Sequence, residues 1–276
     1  MDTTTVSGVE IPSIGLGTWR LTGDVCRRSV RTALELGYRH LDTAQEYGNE
    51  RQVGEAIKTS AVDRDDVFVT TKLGSRNRAY DDVIRSVEES LAKLDTTYVD
   101  LLLIHWPNVM TPLRETLAAM NELVDRGTVR HLGVSNFGID RLSRARDRSE
   151  HGIVADQVQY NPYWSQTGLL DYCQIHGITL TAYSPLAHGA VPEDPVLESI
   201  GAVHGKSAAQ VALRWLVQQP NVVTVPKATS REHLAANLDI FDFELTDEEM
   251  ARIYQPSKPR AIAGFVRSRV RELGCL

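Results

Sequence analysis

Short apolar runs alternate with amphipathic stretches along the chain, and this alternation predicts its secondary structure. Eight runs have the length and composition of buried strands: YRHLDT, VFVTTK, VDLLLIH, VRHLGVS, ADQVQY, ITLTAYS, VVTVP and LDIFDF. Between them, apolar residues recur every three or four positions, which predicts helices with one buried face. One such set is Val83, Val87, Leu91 and Leu94. Eight strands separated by helices favour an α/β fold, a parallel (β/α)8 TIM barrel, over an open doubly wound sheet.

The segment before these runs predicts an additional hairpin. Val6 to Gly17 contains two short strand-like pieces around Ser7-Gly8, so we expect a β-hairpin that closes the bottom of the barrel. The run from Gly15 to Gly17 lacks the third glycine of a dinucleotide-binding fingerprint, and we assign it to this hairpin as it runs up to the active-site wall. No repeat or linker divides the chain. We therefore expect a single domain, 1–276, with 256–276 as a C-terminal tail.

Composition narrows the possible partners and the compartment. The 276 residues carry a formal net charge of −6, which argues against nucleic acid and anionic membranes as partners. The three cysteines have no pairing or metal-ligand spacing, so we expect reduced intracellular thiols. The chain has no charged-then-apolar leader and no uncharged stretch of about 18 residues. We expect a cytoplasmic protein, monomeric by default, that acts on a small molecule.

Four polar residues stand where apolar runs end. Asp42 and Tyr47 follow YRHL, Lys72 closes VFVTTK, and His105 closes VDLLLIH. The carboxyl ends of parallel strands are where barrels of this class build their active sites. Each residue alone is more often a surface or buried structural residue, but four at neighbouring strand ends indicate one site.

These four side chains suit reduction of a carbonyl group. Tyr47 is a proton donor whose pKa an adjacent ammonium, Lys72, would lower. Asp42 would keep Lys72 charged and in position, and His105 would donate a hydrogen bond to the carbonyl oxygen. No side chain supplies hydride, so a nicotinamide cofactor is required.

A metal-dependent hydrolase on the same barrel is a second possibility. It needs several histidine or carboxylate ligands at strand ends, and His40 near Asp42 offers only the start of such a set. We therefore expect no metal.

Several longer segments resemble one family. GYRHLDTAQEYGNE (37–50), TKL after the second run, LLIHWP (102–107) and GVSNF (133–137) are similar to signature segments of the aldo-keto reductases, in particular of microbial members with short loops. The resemblance extends from Ile11 to about Tyr254. It implies NAD(P)H-dependent reduction of aldehydes and ketones, with Tyr47 as general acid. A non-catalytic, nucleotide-binding regulatory subunit of the same fold is the alternative within the family.

The resemblance also implies a cofactor site and a substrate pocket. Ser135, Asn136 and Gln157 match residues that bind the nicotinamide carboxamide, and Tyr183 matches the aromatic that stacks on the ring. The other cofactor-binding residues that it implies are Gly17, Thr18, Trp19, Asp42, Ser184, Leu186, Lys227, Thr229, His233 and Asn237. The residues expected to bind substrate are Trp19, Tyr47, His105, Trp106 and Phe137.

The segment PKATSREHLAAN departs from the common family pattern for binding the adenosine 2′-phosphate. Lys227 is present, but Ala228, His233 and Ala236 stand where serine, arginine and glutamate are common. Histidine carries full charge only below about pH 6.5 and cannot replace a bidentate guanidinium. We therefore expect NADP(H) as the preferred cofactor, with NAD(H) also used.

Two features bear on the substrate. Only 29 residues separate His105 from Ser135, so the connecting loop is short and the pocket is expected to be open. The basic tail from Lys258 onward either recognises anionic substrates or is a solvated charged face, and the second interpretation is favoured.

Overall fold

Eight parallel strands form the central sheet of this computed structural model, which describes residues 2–108 and 110–255. The predicted tail, 256–276, lies outside the described residues. A two-stranded hairpin, β1 and β2, precedes the sheet, β3 to β10. Numbered in chain order, the strands are Thr3–Val6, Val9–Pro12, Leu16–Gly17, His40–Asp42, Phe68–Leu73, Val99–Ile104, Val129–Ser135, Ala155–Gln159, Thr179–Tyr183 and Val222–Thr224.

Ten α-helices of the described residues, α1 to α10, connect or follow the strands. In chain order they are Gly23–Leu36, Glu50–Lys58, Tyr80–Leu94, Leu113–Asp125, Ile139–Arg146, Thr167–Ile175, Pro195–His204, Ala208–Val217, Arg231–Leu238 and Asp247–Ile253. In α3 the predicted apolar face is confirmed, because Val83, Val87 and Leu94 are buried. None of the helices in the described ranges has both the length and the apolar character needed to cross a membrane.

The sheet closes on itself through its first and last strands. Neighbouring strands follow one another in chain order from β3 to β10, and Ile14 forms a parallel bridge with Thr224. Thr224 donates its backbone N–H to Ser13 O at 3.0 Å and accepts from Gly15 N at 2.8 Å. The predicted (β/α)8 barrel is therefore confirmed, and the doubly wound alternative is excluded.

One strand assignment from the sequence is wrong. LDIFDF is not a strand, because Leu238 ends α9 and the residues after it form turns, in which Asp239 and Asp242 accept from Lys206. The eighth barrel strand is instead β3, Leu16–Gly17, which the sequence analysis placed with the hairpin. Glycine permits its close approach to the chain after β10, since a Cβ on Gly17 would lie 2.5 Å from Val225 O.

The predicted hairpin is confirmed at the bottom of the barrel. Strands β1 and β2 pair antiparallel, and the turn residues Ser7 and Gly8 both have positive φ, as a tight two-residue hairpin turn requires. The Ser7 hydroxyl donates to Gly177 O, just before the start of β9. The hairpin therefore covers the amino-terminal ends of the strands and leaves the opposite end open.

Apolar residues fill the lower part of the barrel interior. Leu101, Leu103 and Ala155 form a buried cluster, against which Phe68 and Val154 pack. A larger core lies between the sheet and the surrounding helices. The interior is therefore a packed plug, and polar side chains gather only near the carboxyl ends of the strands.

Candidate active site

A cavity of about 770 Å³ opens at the carboxyl ends of the barrel strands. Its walls come from most of the strand ends and from the loop after β9. The predicted residues that line it are Gly17, Trp19, Asp42, Tyr47, His105, Trp106, Ser135, Asn136, Gln157, Tyr183, Ser184, Leu186 and Lys227. The structure therefore brings most of the predicted site residues together at one place.

Lys72 lies beneath this cavity with a side chain that is 0% exposed. Its ammonium donates to Asp42 Oδ1 at 2.6 Å, to Thr43 O at 2.8 Å and to the Tyr47 hydroxyl at 3.5 Å. These three acceptors match the three protons of an ammonium. Burial lowers the pKa of Lys72 and contact with Asp42 raises it, with burial the larger effect. The arrangement supports the positioning role expected of Asp42.

Asp42 is buried at the end of β4, and both of its carboxylate oxygens have partners. Oδ1 accepts from Lys72, and Oδ2 accepts from Gln157 Nε2 at 2.6 Å. The backbone carbonyl of Gln157 in turn accepts from the Ser135 hydroxyl at 2.7 Å. A continuous chain of hydrogen bonds thus connects the lysine to the polar wall of the cavity.

Tyr47 ends a short 3-10 turn, Gln45–Tyr47, which Gly48 terminates at φ 66°. Burial raises the pKa of Tyr47 well above its ordinary value, and the negative charges of Asp42 and Glu46 add to the effect. The net shift of this pKa is therefore upward, not downward as expected from Lys72 alone, and desolvation of the phenolate is its largest cause. The phenol stays protonated at neutral pH.

His105 lies beside Tyr47, with ring centroids 5.7 Å apart in an edge-on arrangement. Burial lowers the pKa of His105 to about 4, and the charge of Lys72 contributes, so the imidazole is neutral at neutral pH. Its Nδ1 lies 3.3 Å from Glu46 Oε2 without hydrogen-bond geometry. Sequence reasoning missed Glu46, although its position directly before Tyr47 was a signal.

Asn136 forms hydrogen bonds with several residues of the polar cavity wall. Its backbone is left-handed, with φ 62°, and its side-chain nitrogen donates to His105 O at 3.1 Å and to Ser135 Oγ at 2.9 Å. Its side-chain oxygen accepts from the Tyr183 hydroxyl at 2.8 Å. Four residues predicted around a nicotinamide are therefore connected by hydrogen bonds: Ser135, Asn136, Gln157 and Tyr183.

Two residues predicted near the substrate and the nicotinamide do not line this cavity. Phe137, predicted to bind substrate, is only 4% exposed and packs in the core outside the barrel, because the left-handed turn at Asn136 directs the chain away from the cavity. Thr18 is buried beneath the site, where its hydroxyl donates to Asp42 O at 2.9 Å. It supports the cavity floor without lining it.

The segment predicted to bind the adenosine 2′-phosphate extends beyond the cavity. Lys227 lines the cavity, whereas Thr229 and His233 are exposed at the start of α9 outside it, and Asn237 is buried on that helix. The Ser230 hydroxyl caps α9 by accepting from His233 N at 3.1 Å. This helix amino terminus follows Lys227 by a few residues, and helix amino termini are suited to bind anions.

The outer rim of the cavity is aromatic. Trp19 and Trp106 are partly exposed there, and His188, from the loop after β9, meets Trp19 edge-on at 6.2 Å. Sequence reasoning missed His188 and Pro192, which also line the cavity. Both come from a loop whose position over the barrel depends on tertiary packing.

Comparison with known proteins identifies the protein family. The model of the Aldo/keto reductase family matches residues 13–257, so the chain belongs to this family of oxidoreductases. The glyoxal reductase of Bacillus subtilis is 40% identical over 248 residues, 90% of this chain and 89% of that protein. The methylglyoxal reductase DkgB of Salmonella typhimurium is 42% identical over 242 residues, 87% of this chain and 90% of that protein.

Solved structures agree with this assignment. The crystal structure of a putative 2,5-diketo-D-gluconic acid reductase B superimposes with a TM-score of 0.92 at 47% identity, and covers 95% of this chain and 93% of that chain. Among residues 2–108 and 110–255, no group of three or more histidine, cysteine or acidic side chains is arranged to hold a metal ion. Nothing in those ranges favours the hydrolase alternative.

Proposed function

We propose that this protein reduces aldehydes and ketones to alcohols with hydride from NAD(P)H, and that Tyr47 is the general acid. The main support for the proposal is the environment of the Tyr47 hydroxyl. It lies beside His105 in the cavity of about 770 Å³, called the main cavity below, and accepts a 3.5 Å hydrogen bond from the fully buried ammonium of Lys72. A protonated phenol next to a buried cation is suited to give a proton to a substrate oxygen and to stabilise the phenolate that remains.

The polar wall fits a nicotinamide carboxamide. Gln157 donates from Nε2 to Asp42, and no described residue donates to its Oε1, which leaves that oxygen to accept from an amide N–H. Ser135 would bind the same group, and the partly exposed ring of Tyr183 would stack on the nicotinamide. Members of this family use nicotinamide cofactors, and the bound cofactor supplies the hydride.

Proton transfer follows from the positions of the remaining residues. A neutral His105 donates one N–H to the substrate oxygen and orients it toward Tyr47. When Tyr47 gives up its proton, the Lys72 ammonium offsets the new negative charge at its oxygen, and Asp42 keeps Lys72 in place. General acid catalysis of this kind contributes about 10²–10⁴ in rate.

The adenosine end of the site favours NADPH without excluding NADH. Lys227 at the cavity edge and the capped start of α9 both attract a 2′-phosphate. His233 is exposed and has no bidentate guanidinium to offer a phosphate, and Arg231 is paired with Glu35 at 2.9 Å. The site proposed for the 2′-phosphate thus lacks the bidentate arginine common in the family. NADPH is therefore preferred, and NADH is also used.

Small carbonyl compounds are the proposed substrates. Two relatives, a glyoxal reductase and a methylglyoxal reductase, are named for 1,2-dicarbonyl substrates, so we include this class among the substrates proposed here. Trp19 and Trp106 lie partly exposed at the open rim of the cavity, and small or medium molecules can pack on their apolar rings.

Oxidation of NADPH and NADH, followed at the nicotinamide absorbance, tests the proposal with a panel of aldehydes, ketones and keto acids. Tyr47→Phe should lower the rate at least about a hundredfold and leave cofactor affinity nearly unchanged. Tyr172→Phe, which removes a hydroxyl on α6 outside the cavity, is the matched control and should keep full activity.

Two results would contradict the proposal. Reduction retained by Tyr47→Phe would remove Tyr47 as the proton donor. Tight nucleotide binding by the unmodified protein without any turnover would favour the non-catalytic regulatory subunit instead.

A further inference from the structure

A second cavity, of about 300 Å³, lies outside the barrel beside the loop that follows His105. None of the residues that line it also lines the main cavity. Its walls come from the chain after β5, the start of α4 and one side of α5. The residues that define it are Arg78, Thr111, Thr116, Arg141, Arg144 and Arg148.

Arg78 is a buried cation in this wall. It is 2% exposed, and its guanidinium donates to Leu73 O at 3.1 Å and to Trp106 O at 3.2 Å. Its Nε has no hydrogen-bond partner, and Glu46, the carboxylate whose charge acts on Arg78, forms no ion pair with it among the described residues. Burial lowers the pKa of Arg78 to about 10, so it remains charged at neutral pH. A buried cation without a paired anion is costly, and a bound anion would offset the cost.

Three more arginines face the same space. Arg141, Arg144 and Arg148 are spaced by three and four residues, which places them on one side of α5 and its extension. All three are exposed, and none forms an ion pair within the described part of the chain. Like charges at this spacing repel one another, so an anion between them and Arg78 would relieve the repulsion.

The start of α4 adds to the positive potential. Leu113 and Thr116, in the first turns of this 13-residue helix, line the cavity, and the Thr116 hydroxyl donates to Arg78 O at 2.6 Å. The amino end of a helix carries a partial positive charge and unpaired N–H groups. The buried arginine, the exposed arginines and the helix terminus thus border one partly open cavity.

We infer that this second cavity binds a small oxyanion with two or more negative charges, of the phosphate-ester or polycarboxylate class. Guanidinium groups bind both kinds of anion through paired N–H donors. The volume suits a molecule far smaller than a dinucleotide. Arg78 also donates a hydrogen bond to the backbone oxygen of Trp106, a residue on the outer rim of the main cavity. This one hydrogen bond connects the proposed anion site to that rim.

Calorimetric titration of the full chain, saturated with NADP⁺, tests this inference with inorganic pyrophosphate and with citrate as probes. Saturation keeps the probes out of the cofactor site, so the result does not depend on turnover. Arg141→Gln/Arg144→Gln should weaken binding at least tenfold, and both positions are exposed, so folding is preserved. Arg28→Gln/Arg51→Gln removes the same charge from exposed positions on α1 and α2, and should change affinity less than twofold.

Each result of these titrations either supports the proposed anion site or overturns it. Tighter binding of pyrophosphate supports a phosphate ester as the ligand, and tighter binding of citrate supports a polycarboxylate. The inference is overturned if neither probe binds, if both double variants weaken binding equally, or if binding is seen only without NADP⁺.

Discussion

Asp42 and Gln157 are joined across the barrel by a hydrogen bond of 2.6 Å between Oδ2 and Nε2. The second carboxylate oxygen of Asp42 accepts from Lys72 at the same distance. One buried carboxylate therefore connects the amide proposed to bind the cofactor with the lysine beside the proposed proton donor. Disturbing it should affect stability and chemistry together.

Asp42→Asn tests this connection. The substitution removes the counter-charge of Lys72, and an amide cannot accept from both Lys72 and Gln157. Removing one partner of a buried ion pair costs about 3–5 kcal/mol, so we expect the free energy of unfolding in urea to fall by about that amount. Reduction should slow at least about tenfold. Asp171→Asn, at an exposed position on α6, is the control, and an equal effect of the two substitutions would contradict the pairing.

The pH dependence of reduction follows from the raised pKa of Tyr47. A general acid must be protonated, and a group whose pKa lies well above its ordinary value, near 10, stays protonated at every lower pH. We expect kcat/KM for carbonyl reduction to show no loss from this group between pH 7 and about pH 9. Circular dichroism over the same range separates unfolding from titration. A decline centred between pH 7 and 9 would instead support a pKa lowered by Lys72.

Cofactor selectivity should respond to His233→Arg. A guanidinium in the first turn of α9 adds a permanent charge and paired donors to the segment proposed to bind the 2′-phosphate. We expect the Kd for NADPH to fall about tenfold, and the Kd for NADH to stay within about twofold, in fluorescence titrations. His176→Arg, exposed at the end of α6, provides the charge-matched control. Equal tightening of both cofactors would argue against a phosphate contact at this position.

Gly133→Ala should destabilise the barrel. A Cβ at this position in β7 would lie 2.5 Å from Leu103 Cδ2 and 2.8 Å from Ala155 O, and the backbone oxygen cannot move aside. We expect a loss of about 1–3 kcal/mol in the free energy of unfolding. Gly168→Ala, in α6 with no atom within 4 Å of the added Cβ, should be neutral or stabilising. Similar results for the two variants would contradict the packing argument.

The strand ends were predictable because buried parallel strands leave a continuous apolar signal. Asp42 ends β4, Lys72 is the next-to-last residue of β5, and His105 directly follows β6. LDIFDF was misassigned because its alternating apolar and acidic residues imitate a half-buried strand. The true eighth strand, Leu16–Gly17, has two residues, and its pairing depends on backbone contacts that residue patterns do not encode.

Other properties of the site depend on distances that the sequence does not give. The pKa of Tyr47 is set by burial and by Glu46, whereas the sequence argument considered only its ammonium neighbour. The position of Phe137 follows from one left-handed residue, Asn136. Arg78 lines one cavity with Arg141 and Arg144 of α5 only because of the fold, and no sequence spacing predicts this.

Closure of the barrel through Ile14 and Thr224 has a consequence during synthesis. These residues are roughly two hundred positions apart, and pairings of such separation form late in folding. A nascent chain that ends before β10 already contains Tyr47, Lys72 and His105, but β3 and β9 both remain open edges. Unpaired edges of this kind favour association between copies, so the last strand protects the protein from aggregation as well as completing its cavity.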